Sequence, residues 1–297
     1  MIKVLLTGAS GQIGHEIKRS VPDFVKLCSY DKCSLDITSI DAVKTVFAEC
    51  NPDYVINAAA YTAVDHAEKE PELAYAINTS GVLYLADECK KASIPLIQIS
   101  TDYIFNGNHD KPYKETDMAA PLSVYGKSKW DGEQVVRHLL SKHIILRTSW
   151  IFGYFGNNFV KTLLHLARDQ ALLRIVSDQY GCPTAAKDVA KVIWQIIKQI
   201  NQITPENVPW GTYHFANVHE VSWYEFAKKI LTIAERYITL TSKDVLAITT
   251  AEYPTLAKRP AYSVLNCQKI MDCFHITPRH WELALDEVIG SIIYHLD

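Results

Sequence analysis

Tyr125 and Lys129, four residues apart in PLSVYGKSKWDGE (121–133), are the first pair in this chain whose types and spacing could do chemistry. On a helix they share one face, a turn apart. A phenol with a pKa of about 10 is a poor acid or base at neutral pH. A neighbouring ammonium favours the phenolate and draws that pKa down, toward the range useful for proton transfer. Lys129 can also hold the ribose of a nicotinamide. The hydroxyl pair Ser100-Thr101 ends an apolar run 24 residues before Tyr125, and Thr101 can hydrogen-bond a substrate carbonyl. A Tyr and a Lys at this spacing arise on helices by chance, so their meaning rests on what surrounds them.

A second signal lies at the start of the chain. IKVLLT (2–7) runs straight into TGASGQIG (7–14), which places Gly8, Gly11 and Gly14 around Gln12 and Ile13 between a strand and a helix. In such a turn Gly8 permits the tight bend, Gly11 lets the backbone approach a pyrophosphate, and Gly14 allows close helix–sheet packing. The free N–H groups and the positive end of the helix dipole then face the phosphates. Asp31 follows the second apolar run, about 20 residues beyond the turn, where an acid can bind the adenine ribose 2′-OH. It would repel a 2′-phosphate, although Lys32 beside it softens the repulsion. NADH is therefore expected to serve, with NADPH open. The third run ends in Asn57-Ala58-Ala59-Ala60-Tyr61-Thr62, whose small side chains let a cofactor pass over the sheet edge.

The elements needed to position these groups are legible as an alternation. IKVLLT (2–7), FVKLCSY (24–30), DYVINAA (53–59), PLIQIS (95–100) and HIILRT (143–148) read as parallel strands buried on both faces. Helices are expected at 12–20, 39–50, 72–92 and 125–141, the second opened by a capping box from Thr38 to Asp41. The fold class is thus α/β: a Rossmann-like, doubly wound parallel sheet with a smaller C-terminal α/β substrate domain. The expected division is a nucleotide-binding domain over 1–149 and a mainly substrate-binding domain over 150–297, with segments 187–200 and 211–217 returning to the first. Within the second part, helices are expected at 157–168 and from a Ser222–Glu225 capping box to about Tyr237, with a turn at Tyr180-Gly181-Cys182-Pro183. YPTLAKRPAY (253–262) should be extended.

Composition excludes several classes. The 297 residues are 48% hydrophobic and 21% charged with a net charge of −3, so there is no electrostatic reason to expect nucleic acid or a membrane surface. No apolar run approaches the roughly 20 residues of a bilayer span, and MIKVLLTGASG lacks the form of a signal peptide. The seven Cys include no CxxC pair, and the eleven His show no zinc-ligand spacing. The NTS sequence at Asn78 fits a glycosylation acceptor only formally. A cytoplasmic, reduced protein without a structural metal is expected.

Taken together, GASGQIG, NAAAYTAVDHAE, STDYIFNG, PLSVYGKSKWDGE, LRTSWIFG and GNNF resemble the extended short-chain dehydrogenase/reductase family. With SDQYGCPT and YPTLAKRPAYSVLN they resemble, more narrowly, the dTDP-4-dehydrorhamnose reductases, over nearly the whole chain. The resemblance implies an oxidoreductase of dTDP-rhamnose and polysaccharide biosynthesis. It would use NADPH or NADH to reduce the C4 ketone of a dTDP-4-dehydro-6-deoxy sugar. Tyr125 would be the proton donor, Lys129 its partner and Thr101 the carbonyl-orienting hydroxyl. Asp36 and Ile37 resemble the adenine contact of the family. Asp102, Trp150, Asn158, Gln179 and Arg259 match positions that line the nucleotide-sugar site, with Arg259 suited to clamp a diphosphate and Asn157 suited to cap the following helix.

Some members of that family bridge a dimer with magnesium held by glutamates. The matching positions here are Lys187 and Ser291, and a Lys cannot ligate the ion, so no metal-bridged dimer is expected; a homodimer held by other contacts stays open. Two other readings share the glycine turn and the Tyr–Lys pair. One is a nucleotide-sugar epimerase or dehydratase that keeps its cofactor, although a dehydratase normally has a second acid where Tyr103 follows Asp102. The other is a regulatory subunit resembling that of methionine adenosyltransferase.

Overall fold

The computed structural model describes residues 1–242 and 244–294. The apolar runs become strands β1 (Ile2–Thr7), β2 (Val25–Tyr30), β3 (Tyr54–Asn57), β4 (Leu96–Thr101) and β5 (His143–Thr148), joined by β6 (Gly211–His214). All pair in parallel, in the order β6-β5-β4-β3-β1-β2. Because β1 has β2 on one side and β3 on the other, the chain leaves their C-terminal ends in opposite directions. A crevice opens there, where sheets of this kind bind ligands.

Helices cover both faces. The helices of eight or more residues, in chain order, are α1 (Gln12–Arg19), α2 (Ile40–Cys50), α3 (Gly81–Ala92), α4 (Val124–Leu139), α5 (Phe159–Asp169), α6 (Ala186–Ile200), α7 (Trp223–Ala234) and α8 (Trp281–Tyr294). One face of the sheet packs on α1 and α6 through Ile17, Val189, Ile193 and Ile197. The other packs on α2, α3 and α4 through Val43, Leu85 and Val136. Central strand residues such as Leu5, Ile56, Ile97 and Ile145 are fully buried, each contributing roughly 1.5–3 kcal/mol. A separate core joins α5, α7 and α8 through Leu163, Phe226 and Ile289. Among the described residues, no helix is long and apolar enough to cross a membrane.

Several local expectations change. The helix read over 72–92 is Pro71–Tyr75, a π turn at Ala76–Ser80, and then α3. The turn widens where Asn78 points inward: its Oδ1 accepts from Tyr61 N (2.9 Å), and its Nδ2 donates to Tyr61 O (3.1 Å) and Ser128 Oγ (3.0 Å). Asn78 is therefore buried and cannot present the formal glycosylation sequence. The cap of α2 is Ser39, which accepts from Ala42 N, because the Thr38 hydroxyl instead donates to Asp36 Oδ1 (2.7 Å). The segment Tyr180–Pro183 is more than a turn. Tyr180–Gly181 pairs antiparallel with Val221–Ser222, and Thr184–Ala185 pairs with Ile151–Phe152. The Ser222–Glu225 capping box is present and opens α7.

Helix α4 lies against the π turn at Gly132, where an added Cβ would collide with Asn78 O. Gly132→Ala must therefore push α4 off its seat, and overpacking of this kind costs about 1–3 kcal/mol. Gly290→Ala on α8 would meet only Tyr237 Oη at 3.5 Å and is expected to gain up to about 1 kcal/mol from helix propensity. Chemical denaturation of the two variants should give shifts of opposite sign.

Candidate active site

The glycine turn sits against the end of β3. Gly8 has a φ of +70°, and a Cβ there would strike the backbone of Ala58 and Ala59. A Cβ on Gly14 would strike Gly8 O, so both positions require glycine for close passage. Gly11 differs: it caps α1 without a side-chain bond, and a Cβ there meets only Gly8 O at 3.3 Å. The protein does not fill the space beside it. A cavity of about 230 Å³ adjoins this turn, walled by Gly8, Ser10, Lys32, Asp36, Ile37 and Ala58–Ala60.

Asp31 is not on that wall. Its Oδ1 accepts from Cys33 N (3.1 Å), Ser34 N (3.0 Å) and Ser34 Oγ (2.8 Å), closing a local turn. These bonds, the Ser34 hydroxyl first, hold its carboxyl below the usual range. The charge presented to the cavity from this strand end is the ammonium of Lys32, with Asp36 accepting from Thr38 N and Oγ1.

The main cavity, about 540 Å³, opens at the ends of β3, β4 and β5. Gly11, Gln12 and Ile13 of the turn, Ala58–Ala60 and Thr62 after β3, Thr101 and Asp102 after β4, and Trp150 after β5 all line it. Tyr125 and Lys129 line it from the first turns of α4, whose start is fixed by Ser123 accepting from Gly126 N (3.1 Å). Thus every residue of the proposed catalytic set borders one space. Lys129 is 5% exposed, and its Nζ donates to Ile99 O (2.7 Å). Burial draws its pKa down to about 8, with Glu133 opposing.

The expected depression of the Tyr125 phenol is not found. Burial pushes it up to about 12, a Thr101 hydroxyl contact pulls the other way, and Asp102 raises it further. The Lys129 ammonium donates to a backbone carbonyl of β4, and loss of water is the largest influence on the phenol. At neutral pH Tyr125 keeps its proton. Burial likewise lifts Asp102 to about 7, and its Oδ1 accepts from Thr101 Oγ1 (3.1 Å).

A third cavity, about 570 Å³, shares Tyr103 and Trp223 with the main one and includes Gln179 and Arg259 on its wall. Arg259 Nη2 donates to Asp65 Oδ2 (2.6 Å), while its Nε is buried without a partner among the described residues. Gln179 Nε2 donates to Thr250 Oγ1 (3.0 Å). Trp150 stacks on Trp223 with ring centroids 3.5 Å apart and planes within 5°. Asn158 lines neither cavity. It caps α5 by accepting from Lys161 N (3.2 Å) and donates to Gln12 Oε1 (3.0 Å) and Gly153 O (2.8 Å). The cap expected of Asn157 belongs to Asn158, and Asn157 is the residue on the cavity wall.

Sequence reasoning missed Tyr103, Trp223 and Asp65. Trp223 follows the Ser222 cap, and Tyr103 follows Asp102, so each stood in a motif already noticed for another reason. At the positions expected to lack metal ligands, Lys187 Nζ pairs with Glu287 Oε2 (3.2 Å), and Ser291 Oγ donates to Glu287 O (2.9 Å). Among the described residues no cluster of three or more His, Cys, Asp or Glu could hold a metal ion.

The walls fit a dinucleotide beside a second polar ligand. The glycine turn leaves room where a backbone must approach phosphates. Thr148 Oγ1 and Arg259 Nε are buried at the walls with no partner in the described chain, and buried polar atoms of that kind call for a ligand group.

Residues 2–293 match the RmlD substrate binding domain family. A dTDP-4-dehydrorhamnose reductase of Aggregatibacter actinomycetemcomitans is 45% identical over 97% of this chain and 98% of its own. The solved structure of one from Clostridium acetobutylicum superposes with a TM-score of 0.90 at 39% identity, covering 98% and 99% of the two chains. Another, from Bacillus anthracis in complex with NADP, gives 0.89 at 37% identity with the same coverage.

Gly11→Val places a branched side chain where only Gly8 O lies near, so the variant should fold. It should lose at least tenfold in NADPH affinity by fluorescence titration, since its methyls occupy the approach to the helix N-terminus. Unchanged affinity in a folded variant would remove the pyrophosphate from this turn.

Proposed function

This chain belongs to the RmlD substrate binding domain family, and from that premise we propose that it reduces the C4 ketone of dTDP-4-dehydro-6-deoxy-L-mannose to dTDP-L-rhamnose with NADPH or NADH. The observation that carries the reading is that Thr101, Tyr125 and Lys129 border one cavity at the sheet edge, beside the glycine turn. The setting is the cytoplasm and the route is polysaccharide biosynthesis.

A bound nicotinamide supplies the hydride to C4. The chain's own residues do the rest. Gly8, Gly11 and the first N–H groups of α1 hold the pyrophosphate, and Lys32, Asp36 and Ile37 wall the adenosine end. Lys129 holds the nicotinamide ribose. The Thr101 hydroxyl hydrogen-bonds the ketone oxygen and fixes its direction. Tyr125 Oη, protonated because burial raises its pKa, gives its proton to that oxygen as it gains electrons, so the ketone becomes a hydroxyl. Arg259, oriented by Asp65, offers its remaining donors to the diphosphate. The stacked Trp150 and Trp223 present an apolar wall that keeps water from the reacting carbon.

Lys32 supports acceptance of NADPH, since an ammonium on the adenosine wall favours a 2′-phosphate and Asp31 is tied into its own turn. Lys32→Ala should weaken NADPH a few-fold, as expected for an exposed charge pair, and leave NADH nearly unchanged. Calorimetric Kd values for both cofactors test this, and an equal loss for the two would remove the assignment.

Incubating the protein with the dTDP-keto sugar and each cofactor, followed by product analysis, tests the reaction itself. Tyr125→Phe keeps the ring and removes the ionisable oxygen, so kcat should fall by about 10²–10⁴ with little change in cofactor Kd. Lys129→Met should damage both. Thr101→Val should mainly slow turnover. A Tyr125→Phe enzyme with near-wild-type kcat would refute the proton-donor assignment.

A further inference from the structure

Helix α4 carries a third chemical residue on the face that holds Tyr125 and Lys129. Glu133 follows Lys129 by one turn and is fully buried. Its Oε1 accepts from Ser100 Oγ (2.5 Å) and from Arg147 Nε (2.9 Å). Its Oε2 accepts from Arg147 Nη2 (2.8 Å) and Arg137 Nη2 (2.8 Å). Arg147, on β5, is 1% exposed and donates through Nη1 to His214 Nε2 (3.1 Å). Burial and Arg147 hold His214 well below its usual pKa, so the imidazole is neutral and its Nδ1–H donates to Tyr113 O (3.0 Å). Arg137 also donates to Thr212 Oγ1 (3.0 Å) on β6. One carboxylate thus ties α4 to β4, β5 and β6.

Burying such a set is a poor way to gain stability, because desolvation of the ions offsets their attraction and an apolar core often does as well. What it provides is a fixed geometry. Ser100 precedes Thr101 at the end of β4, and both line the main cavity. We propose that Glu133 is a positioning residue for the reaction: its carboxylate pins the end of β4 to the active face of α4 and supplies the negative charge that keeps Lys129 an ammonium. This rests on the reductase reading above.

The groups that set the charge of Lys129 can be named element by element. Tyr125 and Glu133 lie on α4, and the carbonyl of Ile99 lies on β4. Asp102 and Tyr103 border the cavity after β4. Arg137 of α4, Arg147 of β5 and His214 of β6 act through Glu133. The glycine turn and the end of β3 contribute no titratable side chain to the cavity. Burial lowers the Lys129 pKa, and Glu133 is the neighbour that raises it. Removing the Glu133 charge therefore moves Lys129 deprotonation to lower pH. Turnover that needs the ammonium is then lost at lower pH as the medium becomes alkaline.

The test is Glu133→Gln, which keeps the shape and an acceptor but removes the charge. The alkaline limb of kcat should move down by at least half a pH unit. NMR of ε-¹³C-labelled lysines, assigned with Lys129→Met, should show the same displacement of the Lys129 titration without any substrate. Glu133→Asp should restore the limb, while Ser100→Ala should lower kcat about threefold or more and leave the titration in place. A Lys129 titration in folded Glu133→Gln identical to wild type would overturn the proposal, whatever the loss of thermal stability. Should Glu133→Gln fail to fold, wild-type kcat in folded Ser100→Ala would overturn it equally. If the wild-type protein reduces no dTDP-keto sugar, the reductase reading fails, and the lysine titration still judges the role of Glu133.

Discussion

A charged amine held away from water is the demand around which this molecule is arranged. Lys129 lies under the surface with a single backbone carbonyl as its hydrogen-bond partner among the described residues, and an ammonium in that position is costly unless compensated. The compensation sets distances elsewhere. Helix α4 must lie deep enough for Nζ to reach Ile99 O, and that depth exists because Gly132 lets the helix settle on the π turn at Asn78. It must also run past Lys129 far enough to bring Glu133 over β4 and β5. The same depth leaves Tyr125 half-buried and raises its pKa, which suits the proton donor proposed for it.

The frame and the grouping of the candidate catalytic residues at one cavity were legible because both depend on local pattern. Near-continuous apolar runs between amphipathic stretches specify a doubly wound sheet, and glycine at 8 and 14 reports close backbone passage directly. Tyr125, Lys129 and Thr101 were readable as a set since the strand–helix alternation brings their elements to one edge. What escaped depends on competition between partners. Asp31 is an acid at a strand end, but Ser34 three residues on captures it in a turn. Asn157 and Asn158 are chemically alike, and only the backbone angle at the start of α5 decides which one caps and which one faces the cavity. The phenol pKa was misjudged because spacing reveals a neighbouring charge and conceals the loss of water. Glu133, Arg147 and His214 come from a helix and two strands, and no spacing rule joins them.

The wall between the main and third cavities is built from strain and stacking. Trp150 has a φ of +47°, a conformation that costs a bulky residue about 1–3 kcal/mol. Its indole is held by Trp223 on one side, and Gly181 is so close that a Cβ would enter the ring. An aromatic pair contributes roughly 0.5–1.5 kcal/mol beyond its buried area, so stacking offsets much of the backbone cost. The tryptophan is thereby held as a closely packed wall of the main cavity.

The clamp between Arg259 and Asp65 spans 194 positions of the chain. The glycine turn and its contacts with β3 need only about the first 60 residues, but the wall that Arg259 provides needs nearly all of them. On a ribosome adding about 5–20 residues per second, that leaves an interval of roughly ten seconds or more between the two. During it the nascent chain can assemble the turn, while β6 and the residues that close the third cavity have yet to emerge. The order of synthesis thus separates the two halves of the site in time, and a chain that stalls before residue 211 exposes β5 as an unpaired sheet edge, a template for association with another chain.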